Sequence, residues 1–367
     1  MKLTLPRKPF IEALTKAAMA IHGRTTLPIL ANVLVAATKD GVTLRATDLD
    51  TNIQVDLKMD DVRVIAPGSI TLPCSRLIKN LGAQVGKELD FETEPKKQTV
   101  KIKCAGSYFT LLGLDPEEFP PFRPVAADCT QFEITGKELA DGLYATAYCQ
   151  STDTTRYVLN GVLFDMATTN LVLVSTDGRR LAKSVGGKLP EARPNFILPS
   201  EGVSVVSRLL SGKEAAVRVR YDDSWIEIAG EGWTVQRKLI EGQFPNYDQV
   251  IPDKFTTQVK VNVDAVSEVL RRVIIMAPAK SASVKIEFKK GMGVLAAHDP
   301  NAGESREEFP AEVTGKDLKM LLSGEFLGEA LAHMEKGETI TFYFEDAMAA
   351  IRVVLGDYTC VIMPMRD

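Results

Sequence analysis

The side chains that most often do chemistry are few in this sequence and badly placed for it. Its three histidines, His22, His298 and His333, lie far apart and without metal-ligand spacing. The five cysteines, Cys74, Cys104, Cys129, Cys149 and Cys360, include no Cys-x-x-Cys pair. They read as reduced, buried thiols and not as a disulfide framework or a zinc site. The lysines of GGKL and SGKE lack the first glycine and the final serine or threonine of a phosphate-cradling loop, and no Gly-x-Gly-x-x-Gly run follows a strand. One carboxylate pair, Asp48 and Asp50 of TDLD, has a spacing that acid–base work could use. An aspartate at a strand end more often caps a turn. No cofactor and no metal are expected, and an enzyme is the weaker reading.

Chemistry of another kind sits at the C-terminus, which ends CVIMPMRD. A terminus is ordinarily polar and frayed unless something holds it. This one is either the last strand of a core or the lining of a groove. Bulk properties narrow the setting. At 367 residues the chain is long enough for two or three domains. With 45% hydrophobic and 25% charged residues it has the composition of a globular protein. Met1 leads straight into LTL and no apolar run approaches a membrane span, so a cytoplasmic protein is expected. A net charge of −4 means that any contact with nucleic acid must come from a local basic surface on an acidic body.

The elements that must position these residues come in three copies. KLTLPRKPFIEALTKAAM from Lys2, QFEITGKELADGLYATAYC from Gln131 and QVKVNVDAVSEVLRRVII from Gln258 each read as a strand followed by an amphipathic helix. NVLVAATKDGVTLRATDLDTNIQV from Asn32 parallels NGVLFDMATTNLVLVSTDGRRLAKS from Asn160, with a fainter third copy from Val284. Each is a hairpin whose second strand ends in a Thr-Asp or His-Asp turn. ITLPCSRLIKNLG and FILPSEGVSVVSRLLSG then open a second helix and three further strands. The period, about 125 residues, is a domain and not a solenoid unit. The expected fold is α+β: three repeated domains, residues 1–125, 126–253 and 254–367, each with two helices packed on antiparallel sheet.

With these motifs in view, the sequence resembles the bacterial DNA sliding clamps, the beta subunits of DNA polymerase III, from Met1 to Asp367. The residues that carry the resemblance are RTTLPILANVL from Arg24, TDLD from Thr47, RYVLNGVLF from Arg156, STDGRRLA from Ser175, GQFPNYDQVIP from Gly242 and VIMPMRD at the end. The resemblance implies a head-to-tail homodimer, a ring of six domains with helices lining the hole. It would encircle duplex DNA and tether replicative and repair polymerases after a clamp loader opens it. The dimensions agree. A domain of this size is roughly 35 Å across; six in a ring leave a hole of roughly 25–35 Å, whereas three leave about 5 Å. A monomer therefore cannot surround DNA and a dimer can. The remaining alternative is a rigid scaffold that binds peptides and never touches DNA.

A clamp must hold DNA without gripping it, so long basic side chains meeting phosphates fit better than base-reading contacts. Helix-borne Lys8, Lys16, Arg76, Lys79, Lys137, Arg208, Arg271 and Arg272 are candidates, the alternative being solvated helix faces. By resemblance the DNA-binding positions are Arg24, Arg76, Lys79, Asp153 and Tyr157. The resemblance also places Phe109 and Leu111 against Ile275 and Met276 across the dimer interface, with the acidic Glu304, Glu307 and Glu308 facing Arg76, Lys79 and Lys103. It implies a groove for short peptides, assembled from four segments. These supply Leu159; Thr176, Gly178, Arg179, Arg180 and Leu181; Pro245, Gln249 and Val250; and Val361, Met363, Pro364, Met365 and Arg366. Methionine suits such a groove because a flexible, polarizable side chain adapts to several ligands.

Overall fold

A computed structural model describes residues 1–21, 26–58, 62–126, 128–210 and 215–366. Each repeat is built as expected: strand, helix, strands, then a second helix and three strands. The helices are α1 (Arg7–Ala17), α2 (Cys74–Ala83), α3 (Gly136–Ala147), α4 (Ser200–Leu210), α5 (Val263–Val273) and α6 (Gly324–Ala332). Helix α5 shows why these segments become helical. Asn262 caps it by accepting from the N–H groups of Asp264 and Ala265, satisfying donors that the first turn leaves free. Val263, Val266, Val269, Leu270 and Val273 recur at three and four and are all buried. Arg271 and Arg272 close its last turn, where a cation offsets the carbonyl end of the helix dipole. In α2 the buried Cys74, Leu77 and Leu81 leave Arg76 and Lys79 exposed, three positions apart on one face.

The chain forms two compact units whose limits differ from the repeats. The first contains residues 1–137 and Ser204–Leu239, the second Glu138–Val203 and Ile240 onward. The first unit has a five-stranded antiparallel sheet in the order Arg63–Ala66, Lys2–Pro6, Glu88–Glu94, Thr99–Cys104, Ser107–Leu112. It also has an eight-stranded sheet in which Trp233–Lys238, from the second repeat, pairs with Thr51–Leu57 from the first. That seam carries polar side chains in register. Asn52 donates to Gln236 at 3.1 Å, and Arg237 donates to Thr51 at 2.6 Å, all four of them buried. A one-residue slip would break both of these buried cross-repeat bonds, which favours the observed register.

The second unit repeats this plan. Its nine-stranded sheet joins Arg180–Lys188 of the second repeat to Tyr358–Ile362 of the third, with Arg180 opposite Ile362 and Leu181 opposite Val361. A four-stranded sheet runs Gly303–Pro310, Met292–Asp299, Ser283–Lys289, Leu318–Ser323. The core beneath α5 and α6 gathers the α5 valines, Leu327, Phe288, Phe342 and Phe344.

The Thr-Asp turns are the same device in two repeats. The Asp48 carboxylate accepts from the N–H groups of Asp50 and Thr51, and Asp177 accepts from those of Arg179 and Arg180. Thr47 and Thr176 each accept from the residue two ahead. The residue after each aspartate is left-handed, Leu49 at φ +83° and Gly178 at φ +86°. Asp48 therefore closes a turn, as its place at a strand end suggests. Four cysteines are buried, and Cys129 departs from expectation in being partly exposed. Burial pushes the Cys74 thiol up to about 12 and the Cys360 thiol up to about 11, which keeps both protonated and unreactive. Among the described residues no helix is long and apolar enough to cross a membrane.

Candidate functional site

The last strand, Tyr358–Ile362, resolves the puzzle of the apolar terminus by its alternation. Cys360 and Ile362 point into the main core of the second unit, whereas Val361 joins a separate cluster on the other face. Of that cluster, which also holds Leu163, Val172, Val174 and Ile197, the residues Leu159, Leu181, Phe244, Tyr247 and Val361 line a groove of about 250 Å³. Successive side chains of a strand face opposite sides, so one segment serves as core and as groove wall. Met363 lines the groove with 47% of its surface exposed, against 3% for Val361 behind it. The chain beyond the strand is tied down: the Met363 N–H donates to the Arg179 carbonyl at 2.9 Å, and that of Met365 to the Leu321 carbonyl at 2.8 Å.

The other walls come from the second repeat and its closing segment. The Thr176–Leu181 turn contributes Thr176, Gly178, Arg179, Arg180 and Leu181, and the segment Phe244–Val250 contributes Phe244, Pro245, Asn246, Tyr247 and Val250. Gly178 allows close approach here. A Cβ at this position would sit 2.7 Å from Nη1 of Arg156, whose guanidinium lies over the turn. Tyr247 is pinned from below by its hydroxyl, which donates to Asp165 at 2.6 Å, while Lys183 lies over its ring and pairs with Asp248. Burial, then the bond to Asp165, holds the Tyr247 phenol above its ordinary range, so it stays neutral. The surface offered is apolar and partly rigid, with an exposed arginine, Arg179, at its edge. It suits aliphatic anchors on an extended ligand.

Among the groove positions expected from the sequence, Gln249, Pro364, Met365 and Arg366 do not line this cavity. Gln249 is exposed on the turn Tyr247–Val250, and the Met365 main chain is fastened to the Leu321 carbonyl. Phe244, Asn246 and Tyr247 line it and were missed, although FPNY stood in one of the motifs. Two buried aromatics in that motif read equally well as core.

The expected DNA contacts are differently placed. Arg24 lies outside the described residues. Arg76 and Lys79 are exposed on α2. Asp153 caps the short helix Thr154–Leu159, accepting from the N–H and hydroxyl of Thr155 and from Arg156 Nε. The Thr155 hydroxyl and N–H, with Arg156, hold its carboxyl below the usual range. Tyr157, on the same turn, is 57% exposed and packs near Gly242. Arg272 makes a two-pronged ion pair with Glu307 at 2.6–3.0 Å, and Arg306 pairs with Glu308 at 2.9 Å. Two of the three clustered acids therefore have cations of their own chain beside them.

At the sheet margins, Ser107–Leu112 is an edge strand with Tyr108 66% and Leu112 72% exposed and Phe109 and Leu111 half-buried. In the second unit Gly303–Pro310 is an edge strand, Ile275 is 75% exposed and Met276 half-buried.

Three family models match the chain in order: DNA polymerase III beta subunit N-terminal domain over residues 1–123, central domain over 133–246 and C-terminal domain over 248–366. The beta sliding clamp of Treponema pallidum is 28% identical over 374 residues, covering 100% of both chains. The solved DNA polymerase III subunit beta of Pseudomonas aeruginosa superposes with a TM-score of 0.94 at 26% identity, covering 100% of each chain. A sliding clamp from the same organism, solved bound to griselimycin, has the same score and identity over 100% of both chains.

Proposed function

We propose that this chain, which belongs to the DNA polymerase III beta-subunit family of sliding clamps, closes with a second copy of itself into a six-domain ring around duplex DNA. It is a processivity factor of DNA replication, and it acts without reading sequence. The observation that carries this reading is the threefold repeat, matched collinearly by the family's three domains. The domains are residues 1–125, 126–253 and 254–367.

Each edge strand leaves a row of N–H and C=O groups that pairing with another chain would satisfy. Ser107–Leu112, with Phe109 and Leu111, meets the third domain of the other copy around Ile275 and Met276, a head-to-tail contact that closes by symmetry. Glu304 remains for basic residues such as Lys103, since Glu307 and Glu308 are engaged within the chain. Arg24, Arg76, Lys79 and Tyr157 meet phosphate and sugar, and Asp153 orients the turn that carries Tyr157. A carboxylate cannot itself attract phosphate, so its part is positional.

The groove receives extended peptide segments of replicative and repair polymerases and of the clamp loader. Gln249, Pro364, Met365 and Arg366 extend it along the rim. Two copies in one ring raise the effective concentration of a second bound partner, so polymerases exchange without loss of the ring. No chemical step is assigned to the chain, which works in the cytoplasm as a tether.

The deciding experiment is retention on nicked circular DNA with the matching loader and ATP, before and after the circle is cut. Retention on the circle and release from the linear form is the expected result. Equal behaviour on both would overturn the topological link.

A further inference from the structure

Arg180 stands in the groove wall, yet its guanidinium turns away from the cavity. Nε donates to Asp177 at 3.1 Å and Nη2 to the carbonyl of Tyr148 at 2.9 Å, while Nη1 bonds the Glu329 carboxylate. The plane lies 4.4 Å from the ring centre of Phe326 and 5.3 Å from that of Tyr148. Only 10% of the side chain is exposed. Phe326 and Glu329 belong to α6, so one side chain joins the turn to that helix. Arg179, exposed beside it, is the arginine that a ligand would meet.

Thr176 and Asp177 close the turn by accepting from the N–H groups of Gly178, Arg179 and Arg180, and the Met363 N–H donates to the Arg179 carbonyl. Those ties stay within the turn and the last strand, whereas the Arg180 side chain carries the turn to α6. Tyr148 connects the two walls: its carbonyl takes Arg180, and its hydroxyl bonds that of Tyr358 at 2.5 Å and the Cys360 sulfur at 3.3 Å. Tyr358 and Cys360 lie on the strand that carries Val361.

We propose that Glu329 and Tyr148 are positioning residues for the groove, holding the 176–181 wall in its ligand-ready form through Arg180 and thereby coupling peptide binding to helix α6. The consequence for affinity rests on the peptide-groove reading; the consequence for the wall does not. Removing Glu329 leaves a nearly buried guanidinium short of a partner, and burial then favours its release toward water. Once Arg180 swings out, the wall samples open forms, and a ligand must restore the order before binding.

The first measurement is amide hydrogen exchange on the full chain without ligand, comparing Glu329→Ala with Glu325→Ala one turn earlier. Exchange at Gly178–Leu181 should rise about 5-fold in Glu329→Ala, a charge-assisted bond at a half-exposed site, with Glu325→Ala unchanged. Glu329→Gln, which keeps an acceptor, should fall between. Unchanged exchange in Glu329→Ala overturns the proposal. The second measurement is binding of a labelled peptide copied from the polymerase C-terminus. Affinity should fall about 5-fold in Glu329→Ala and not further when Arg180→Ala is added, the non-additivity expected of residues acting as one unit. Wild-type affinity in Glu329→Ala, with a loss in Arg180→Ala, overturns the coupling and makes Arg180 a direct contact. If the wild type binds no such peptide, the groove reading falls, and exchange alone decides the role of Glu329.

Discussion

At the scale of single residues, backbone needs explain much of what the sequence leaves ambiguous. Asp48 of TDLD and Asp177 of STDGRRLA each satisfy two N–H groups in a turn. Where the first repeat accepts Leu49 in a left-handed conformation, the second has Gly178, and the groove forms beside it. His333 is the residue whose behaviour should be visible in solution. It caps the end of α6 and stacks between Tyr144 and Tyr148 at 4.3 and 4.4 Å. Burial lowers its pKa below 6.5; Glu329 opposes the shift and Arg180 adds to it. The unfolded chain then binds the proton more readily than the folded one. The histidine's contribution to stability is full above about pH 6.5 and is lost as pH falls through the lower folded value. Thermal melts at about pH 8 and about pH 5 should show a drop that His333→Phe reduces. An equal drop in both proteins would assign the pH dependence elsewhere.

At the scale of elements, the last strand is the informative one. Its two faces divide between the core and the groove, and its continuation is fastened at Met363 and Met365. Deleting the five residues from Met363 removes one groove wall and both main-chain anchors but none of the buried strand residues. The truncated chain should fold with a melting temperature within a few degrees of the full chain. Its affinity for a polymerase-tail peptide should fall at least about 100-fold, the weight of an adaptable apolar anchor and its wall together. Isothermal titration checks the second, and wild-type affinity after truncation would move the site. Helices α2 and α5 show the complementary rule, a buried stripe at three and four with basic side chains on the opposite face.

At the scale of the molecule, each compact unit is held by a sheet that runs from one repeat into the next. The proposed ring must close at the margins of the other two sheets, the five-stranded and the four-stranded. Ile275, 75% exposed and apolar, is the cleaner probe, because Met276 also packs against the third-repeat core. Ile275→Lys would bury an unpaired cation in the contact, which costs several kcal/mol and should raise the dimer dissociation constant by about three orders of magnitude. Sizing chromatography with light scattering should then find a folded monomer of 40.1 kDa. A dimer that survives would place the contact on another edge.

Periodicity, turn chemistry and self-similarity are local properties, and the sequence alone determined what depends on them. The three repeats, the strand–helix order within each and the Thr-Asp turns were legible, because a chain that buries one face writes that face into its own spacing. The pairing of Trp233–Lys238 with Thr51–Leu57, and of Arg180–Lys188 with Tyr358–Ile362, was not. Those strands are distant in sequence, and only their polar and apolar side chains, once in register, select each other. The groove divides the same way. Its residue types stood in FPNY, STDGRRLA and VIMPM, but core and groove wall look alike in one dimension. Tertiary structure decided that Phe244 and Tyr247 line the cavity while Met365 lies outside its lining. It also decided that the Arg180 guanidinium lies against helix α6, because a side chain's direction is set by what packs against it.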